Sequence, residues 1–236
     1  MSQPQIIGER PALWPARASV VFFLLAAMLL AISVVLQQLF WARSMDIFAA
    51  DPLVTGSTDD PRQELFALAR GNAVVRGVRA VALLAVASGM LVLVRGVRLR
   101  GKVVIGSLAA VVAAVAFGIV EVSAWIGETS SADVVTSESI LPIRLLKLVC
   151  VVGLLVAGLC WRRFLFPAAM CSFLLLGTTL VGSFVASVFL PLLFSSLDHE
   201  ALVPWGHWVV LLSTLGAGVA MGCAAGVVFL RATRSE

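Results

Sequence analysis

Long apolar runs alternate with short polar segments along the whole chain. The runs cover residues 18–40, 77–94, 103–125, 142–160, 164–190 and 206–230. A helix needs about 20 apolar residues to cross about 30 Å of hydrocarbon, and each run is close to that length or exceeds it. The pattern predicts an all-α, polytopic membrane helix bundle of six transmembrane helices, with residues 1–236 forming a single membrane domain.

The composition agrees with a membrane protein. Hydrophobic residues make up 61% of the 236 residues and charged residues 13%, which is more apolar surface than a soluble domain of this size can bury. The first apolar run is longer than the roughly 7–15 residues of a secretory signal, and no small-residue cleavage site follows it. We therefore interpret this run as a retained first helix.

Basic and acidic residues lie on opposite sides of the predicted bundle. The segments on one side contain Arg10, Arg17, Arg95, Arg98, Arg100, Lys102, Arg162, Arg163, Arg231 and Arg234. Most acids lie on the other side: Asp46, Asp51, Asp59, Asp60, Glu64, Glu128, Asp133, Glu138, Asp198 and Glu200. Because cytoplasmic segments retain Lys and Arg, both termini are predicted to be cytoplasmic. The net charge of +4 then reflects membrane topology, and we expect no nucleic-acid partner.

The largest hydrophilic stretch is the predicted outer loop at residues 41–76. Asp59 and Asp60 precede Pro61, which is the pattern of a helix start, so a short helix is expected to lead into the second transmembrane helix. That helix either lies on the outer surface or extends the membrane helix, with Gly71 as the hinge. A loop of this length acts as a packed cap or as a substrate lid, and we favour the cap.

A second segment, residues 188–204, is apolar but contains Pro191 and ends at Pro204. Two interpretations fit it. It rests at the outer interface, where Trp205 and Trp208 suit the aromatic belt, or it forms a re-entrant hairpin surrounded by protein or water. The sequence does not separate these two.

Small residues at intervals of four mark helix faces that pack closely. Such faces are formed by Gly218, Gly222 and Gly226 in the sixth helix and by Ala110, Ala114 and Gly118 in the third. Each face meets either another helix of the same chain or a neighbouring subunit. For the sixth helix we favour the neighbouring subunit, because a terminal helix needs only one side covered by its own chain.

Ser172, Thr179, Ser183 and Ser187 fall within one narrow arc of the fifth helix. A hydroxyl stripe of this kind either lines a polar path for a solute or bonds to backbone carbonyls within and between helices. We favour packing over a polar path.

Ionisable residues in the predicted membrane region cluster towards the outer side. Glu121 shares the protein-facing arc of the third helix, and Arg144 and Lys147 lie at a similar depth in the fourth. Arg76 and Arg79 stand at the outer end of the second helix. We predict an ion pair between Glu121 and Arg144. The remaining cations either contact lipid phosphates or form a site for an anionic ligand or lipid.

Catalytic chemistry is not expected. The two histidines, His199 and His207, are both predicted near the outer face, which leaves no histidine cluster for haem or metal binding. The four cysteines, Cys150, Cys160, Cys171 and Cys223, fall inside predicted helices without disulfide or metal spacing. The sequence therefore predicts no enzyme activity, no metal site and no cofactor.

The sequence favours an accessory or structural subunit of a larger membrane complex, with membrane lipids, including anionic ones, and other membrane subunits as partners. The Ala-, Val-, Leu- and Arg-rich composition is typical of a bacterium, which predicts a multi-pass protein of the bacterial cytoplasmic (inner) membrane. The alternative is a small solute-transport component, a binding subunit or permease with an anionic ligand or lipid site in the outer leaflet. A transport component should enclose a polar cavity lined by fifth-helix hydroxyls. A structural subunit should be packed without such a cavity and present small residues to a neighbour.

Overall fold

The fold is all-helical throughout the residues that the computed structural model describes: 13–49, 61–94, 100–129, 137–181 and 199–233. Six helices lie within them: α1 (Leu13–Ala49), α2 (Pro61–Val94), α3 (Arg100–Thr129), α4 (Ser137–Trp161), α5 (Phe166–Leu180) and α6 (His199–Thr233). The all-α class predicted from the apolar runs is confirmed for this part of the chain.

The helices form a closed ring. Each helix packs against the next one in the chain, and α6 returns to pack against α1. Neighbours run in opposite directions: Phe23 of α1 fits against Gly89 of α2, whereas Phe40 fits against Gly71 near the other end. We call the end where α1 begins and α6 finishes the amino-terminal end, and the end where α1 finishes and α6 begins the far end.

Four helices are long and apolar enough to cross a membrane. Their apolar spans are Pro15–Arg43, Val74–Val94, Gly101–Val120 and Gly206–Thr233. The apolar parts of α4 and α5 are shorter, at Leu145–Trp161 and Phe166–Leu180. Length and composition of the described residues thus support four spans, and the count of six stays a prediction.

Several helices extend beyond the apolar runs. α1 continues to Ala49 and α2 begins at Pro61, so helix occupies much of the segment expected as an outer loop. α6 begins at His199, which places Pro204 inside a helix although we expected it to bound a helix-breaking segment. Pro204 is the sixth residue of α6, past the first four N–H groups that have no partner within a helix, so it removes one backbone hydrogen bond from the second turn. Residues 182–198, including Pro191, lie outside the described residues.

Close helix approaches rest on glycine and alanine. At Gly153 of α4, an added Cβ would lie 2.7 Å from the Ala109 carbonyl oxygen and 2.9 Å from the Ala113 Cβ. Such a site admits no side chain, so α3 and α4 pack almost backbone to backbone. In lipid this close packing replaces the hydrophobic effect as the force that joins helices.

Candidate functional site

A buried polar cluster joins α1, α2 and α6 near the far end. We call Gln37, Trp41, Arg79 and His207 the Arg79 cluster. Arg79 Nη2 donates a hydrogen bond to Gln37 Oε1, and Gln37 Nε2 lies 3.4 Å from His207 Nδ1. Arg79 and His207 are each only 8% exposed. The cluster therefore ties the first two helices of the ring to the last one.

Aromatic rings hold the histidine in place. The Trp41 ring stacks on His207 with a centroid separation of 4.1 Å and an interplanar angle of 16°. Trp208 meets the same imidazole edge-on at 5.9 Å and 71°. His207 Nε2 is buried and has no hydrogen-bond partner among the described residues. We predicted His207 near the outer face of the membrane. The structure places it near the far end of the bundle, where contacts with α1 help to bury its side chain.

The Arg79 cluster lies inside the apolar region, near its edge. At 1.5 Å per residue, Arg79 is about 8 Å from Val74, where the apolar span of α2 begins. Gln37 is about 9 Å from Arg43, where the span of α1 finishes. A charged group at such a depth faces the bundle interior and needs hydrogen-bonding partners, which explains why α1 carries an amide there.

Arg79 also borders a narrow cavity between α2, α3, α4 and α5. The cavity contains about 290 Å³ of space between atoms and is partly open. Its walls are mainly apolar, with polar contributions from Arg79, Cys150, Thr178 and Thr179. Most of the space is too narrow for a solute, and the wide part holds about one water molecule.

The described hydroxyls of α5 bond to backbone carbonyls. Ser172 Oγ donates to the Leu154 carbonyl of α4 at 2.7 Å, which links two helices. Thr178 and Thr179 both donate to the Leu175 carbonyl within α5, at 2.7 and 2.9 Å. Ser183 and Ser187, the other half of the predicted stripe, lie outside the described residues.

The predicted ionisable site is only partly described. Arg76 and Lys147 are half-buried on α2 and α4. Glu121 and Arg144 belong to α3 and α4, but their side chains lie outside the described residues, so their ion pair stays a prediction. The neighbours of Arg79 in the Arg79 cluster were not predicted.

The small-residue face of α6 divides into two parts. At Gly218 an added Cβ would lie 3.5 Å from the Leu30 Cβ and 3.6 Å from the Ala27 carbonyl oxygen, so this glycine packs against α1. At Gly222 and Gly226, which are both exposed, an added Cβ would meet no atom within 4 Å.

The corresponding face of α3 is used mainly inside the chain. Ala110 and Ala114 are buried at 0% and 2% exposure. Gly118 is half-buried, and an added Cβ there would contact nothing within 4 Å. Close packing within the ring therefore accounts for the two alanines, and only Gly118 remains open.

Sequence reasoning missed Gln37 and Trp41. The available signal was the amide itself, since a polar side chain inside an apolar run indicates a buried polar contact. The sequence did not predict the partners of this amide, because they lie on α2 and α6 and the packing of these helices against α1 depends on the tertiary fold.

No group of three or more His, Cys, Asp or Glu residues able to hold a metal occurs in the described parts of the chain. No family model, curated protein or solved structure matches the chain. The fold and the four apolar spans define its class, an all-helical integral membrane protein.

Proposed function

We propose that this chain is a non-catalytic accessory or structural subunit of a larger membrane complex, and that α6 carries its contact surface. The observation behind the proposal is the open space at Gly222 and Gly226, which are exposed while Gly218 packs against α1. Two glycines one turn apart let a partner helix approach the backbone closely. No described residue of this chain packs closely enough against Gly222 or Gly226 to require glycine there.

The interior of the bundle supports the same proposal. The described α5 hydroxyls donate to backbone carbonyls, and the cavity beside Arg79 holds about one water molecule. A solute path would need a wider polar passage than this. A closely packed interior of this kind fits a protein whose contact surface is the exposed face of α6 at Gly222 and Gly226.

The orientation and location belong to the proposal as well. Arg17, Lys102, Arg162, Arg163 and Arg231 are all exposed and lie at the amino-terminal end of the bundle. Following the enrichment of cations on the cytoplasmic side, we place this end in the cytoplasm and the protein in a bacterial inner membrane.

The test replaces the exposed glycines with leucine. Gly222→Leu and Gly226→Leu should leave the isolated chain folded and monodisperse, because an added Cβ at either position meets no described atom within 4 Å. The same variants should lose partner subunits after mild detergent extraction, since the branched side chains hold a neighbouring helix away. Recovery of co-purifying chains is measured by mass spectrometry.

Two matched variants control this experiment. Gly77→Leu introduces leucine at another open position, on α2, and should retain both fold and partners. Gly153→Leu should lose the fold, because its Cβ would meet the α3 backbone. The proposal fails if Gly222→Leu keeps every partner, or if it unfolds as Gly153→Leu does.

A second candidate, the small solute-transport component, rests on one observation. Arg79 lies on the wall of a cavity that also contains the Thr178 and Thr179 side chains. A transport component should retain a small anion or lipid that Arg79→Gln releases and Arg76→Gln, one turn away on the same helix, retains. Native mass spectrometry of the purified chain is the measurement. A structural subunit should retain no such anion or lipid, or should retain it equally in both variants.

A further inference from the structure

Three exposed cations lie at the amino-terminal end, where α3 begins and α4 ends. Lys102 lies in the first turn of α3, and Arg162 and Arg163 lie in the turn between α4 and α5. We call these three residues the basic corner. We infer that the basic corner binds the phosphate of an anionic phospholipid headgroup. This inference is independent of the proposed contact surface on α6.

Close packing of α3 on α4 places the three cations at a similar level of the bundle. An added Cβ at Gly106 would lie 2.8 Å from both the Cys160 Cβ and the Trp161 Nε1. The start of α3 is therefore pressed against the final turn of α4. Lys102 precedes Gly106 by about 6 Å along the helix axis, and Arg162 directly follows Trp161.

Backbone hydrogen bonds hold the turn that carries the arginines. Arg162 N–H donates to the Gly158 carbonyl at 3.0 Å, and the N–H groups of Phe164 and Leu165 both donate to the Trp161 carbonyl at 2.9 Å. Trp161 itself is fully buried beneath the turn. A fixed backbone lowers the cost of ordering the arginines around a ligand, so the corner is preorganised.

The surroundings favour a lipid over a soluble anion or an acidic protein. Ile105, Leu159 and Phe166 are 55%, 56% and 60% exposed, and they lie on the same three helices within about one turn of the cations. Acyl chains can cover this apolar surface while the phosphate accepts hydrogen bonds from the guanidinium groups. Cations at the edge of an apolar belt match the depth of a headgroup.

The experiment compares two double variants by native mass spectrometry. Each protein is titrated with phosphatidylglycerol and with phosphatidylcholine of the same acyl chains. Arg162→Gln with Arg163→Gln should weaken phosphatidylglycerol binding about tenfold or more, since a hydrogen bond between a cation and the phosphate contributes roughly a tenfold preference. Lys102→Gln should weaken it about tenfold by the same reasoning. Phosphatidylcholine binding should not change.

The control is Arg17→Gln with Arg231→Gln, which removes two exposed cations from the same end but from α1 and α6. It should lower phosphatidylglycerol binding less than threefold. Equal losses in both double variants would show only diffuse attraction and would overturn the inference. So would equal affinity of the wild-type chain for the two lipids, or tighter binding of polyglutamate than of phosphatidylglycerol. Size-exclusion profiles identify folded variants, and Lys102→Gln alone decides the outcome if the double variant misfolds.

Discussion

At the scale of single residues, Arg79 shows how an apolar bundle accommodates a charge. Its guanidinium donates to the Gln37 amide, and the same amide approaches His207. Neutral polar groups satisfy part of the hydrogen-bonding capacity of a buried cation without placing a second charge in the apolar region. Gln37 is therefore the central member of the Arg79 cluster, since it contacts both other polar residues.

Removing the central amide should destabilise the bundle. Gln37→Leu keeps the volume of the side chain approximately but takes a partner from Arg79 and from His207, at a cost of about 1–3 kcal/mol. The measurement is the midpoint temperature at which the detergent-solubilised chain loses monodispersity. Gln38→Leu, a half-buried neighbour on α1, is the control and should shift the midpoint less. Equal midpoints for the two variants would mean that the contacts of Gln37 contribute nothing.

The residue scale is also where sequence reasoning was least complete. The sequence placed Arg79 at the outer end of the second helix and predicted a pair between Glu121 and Arg144 from their matching depth, but it named no partner for Arg79. Depth follows from counting along a helix, whereas partners depend on the rotation of each helix and on its neighbours. The ring brings Arg79 to Gln37 and His207, residues that precede and follow it by 42 and by 128 positions (207 − 79).

At the scale of helices, the apolar runs predicted the elements well and their ends less well. α1 and α6 extend several residues past the runs, at Ala49 and from His199. The reason is physical: hydrocarbon thickness fixes the minimum apolar length, but a helix continues in the polar zone until a breaker or a cap ends it. The start of α5 is instead fixed by local sequence. Pro167 lies in its first turn, and the turn from Arg162 to Leu165 precedes it.

The α4–α5 pair allows a test of what the hydroxyl stripe does. Ser172→Ala removes the hydrogen bond to the Leu154 carbonyl of the other helix and should cost about 0.6 kcal/mol, and at most about 1.7 kcal/mol. Thr178→Val is the control, because Thr178 bonds only to its own helix in the described contacts. Unfolding by increasing concentrations of sodium dodecyl sulfate measures both. A larger loss in Thr178→Val would contradict the role of Ser172 in joining the helices.

At the scale of the whole molecule, successive helices run in opposite directions and form a ring that closes where α6 packs against α1. Consecutive helices pack side by side, and the contact of α6 with α1 places the start of the first helix and the end of the last at one end of the bundle. The sequence predicted the all-α class of the described residues from its apolar runs. It did not predict the closed order, because the small residues that decide it occur on several faces.

The membrane orientation is testable with two single cysteines in a background where the four native cysteines are replaced. Ser57→Cys, between α1 and α2, should react with an impermeant thiol reagent added to intact cells. Val97→Cys, between α2 and α3, should react only after the membrane is disrupted. The expectation follows from the cations at the amino-terminal end. Labelling in the reverse order would place that end outside the cell.

The seam between α1 and α6 also determines when the bundle is completed. Gln37 and His207 are separated by 170 residues, so a chain made from its amino terminus has all its earlier helices in the membrane before this contact forms. Until then Gln37 lacks its contact with His207, and Trp41 lacks the imidazole on which it stacks. The contact between α1 and α6 therefore forms late in synthesis, after the chain has made the described helices that lie between them.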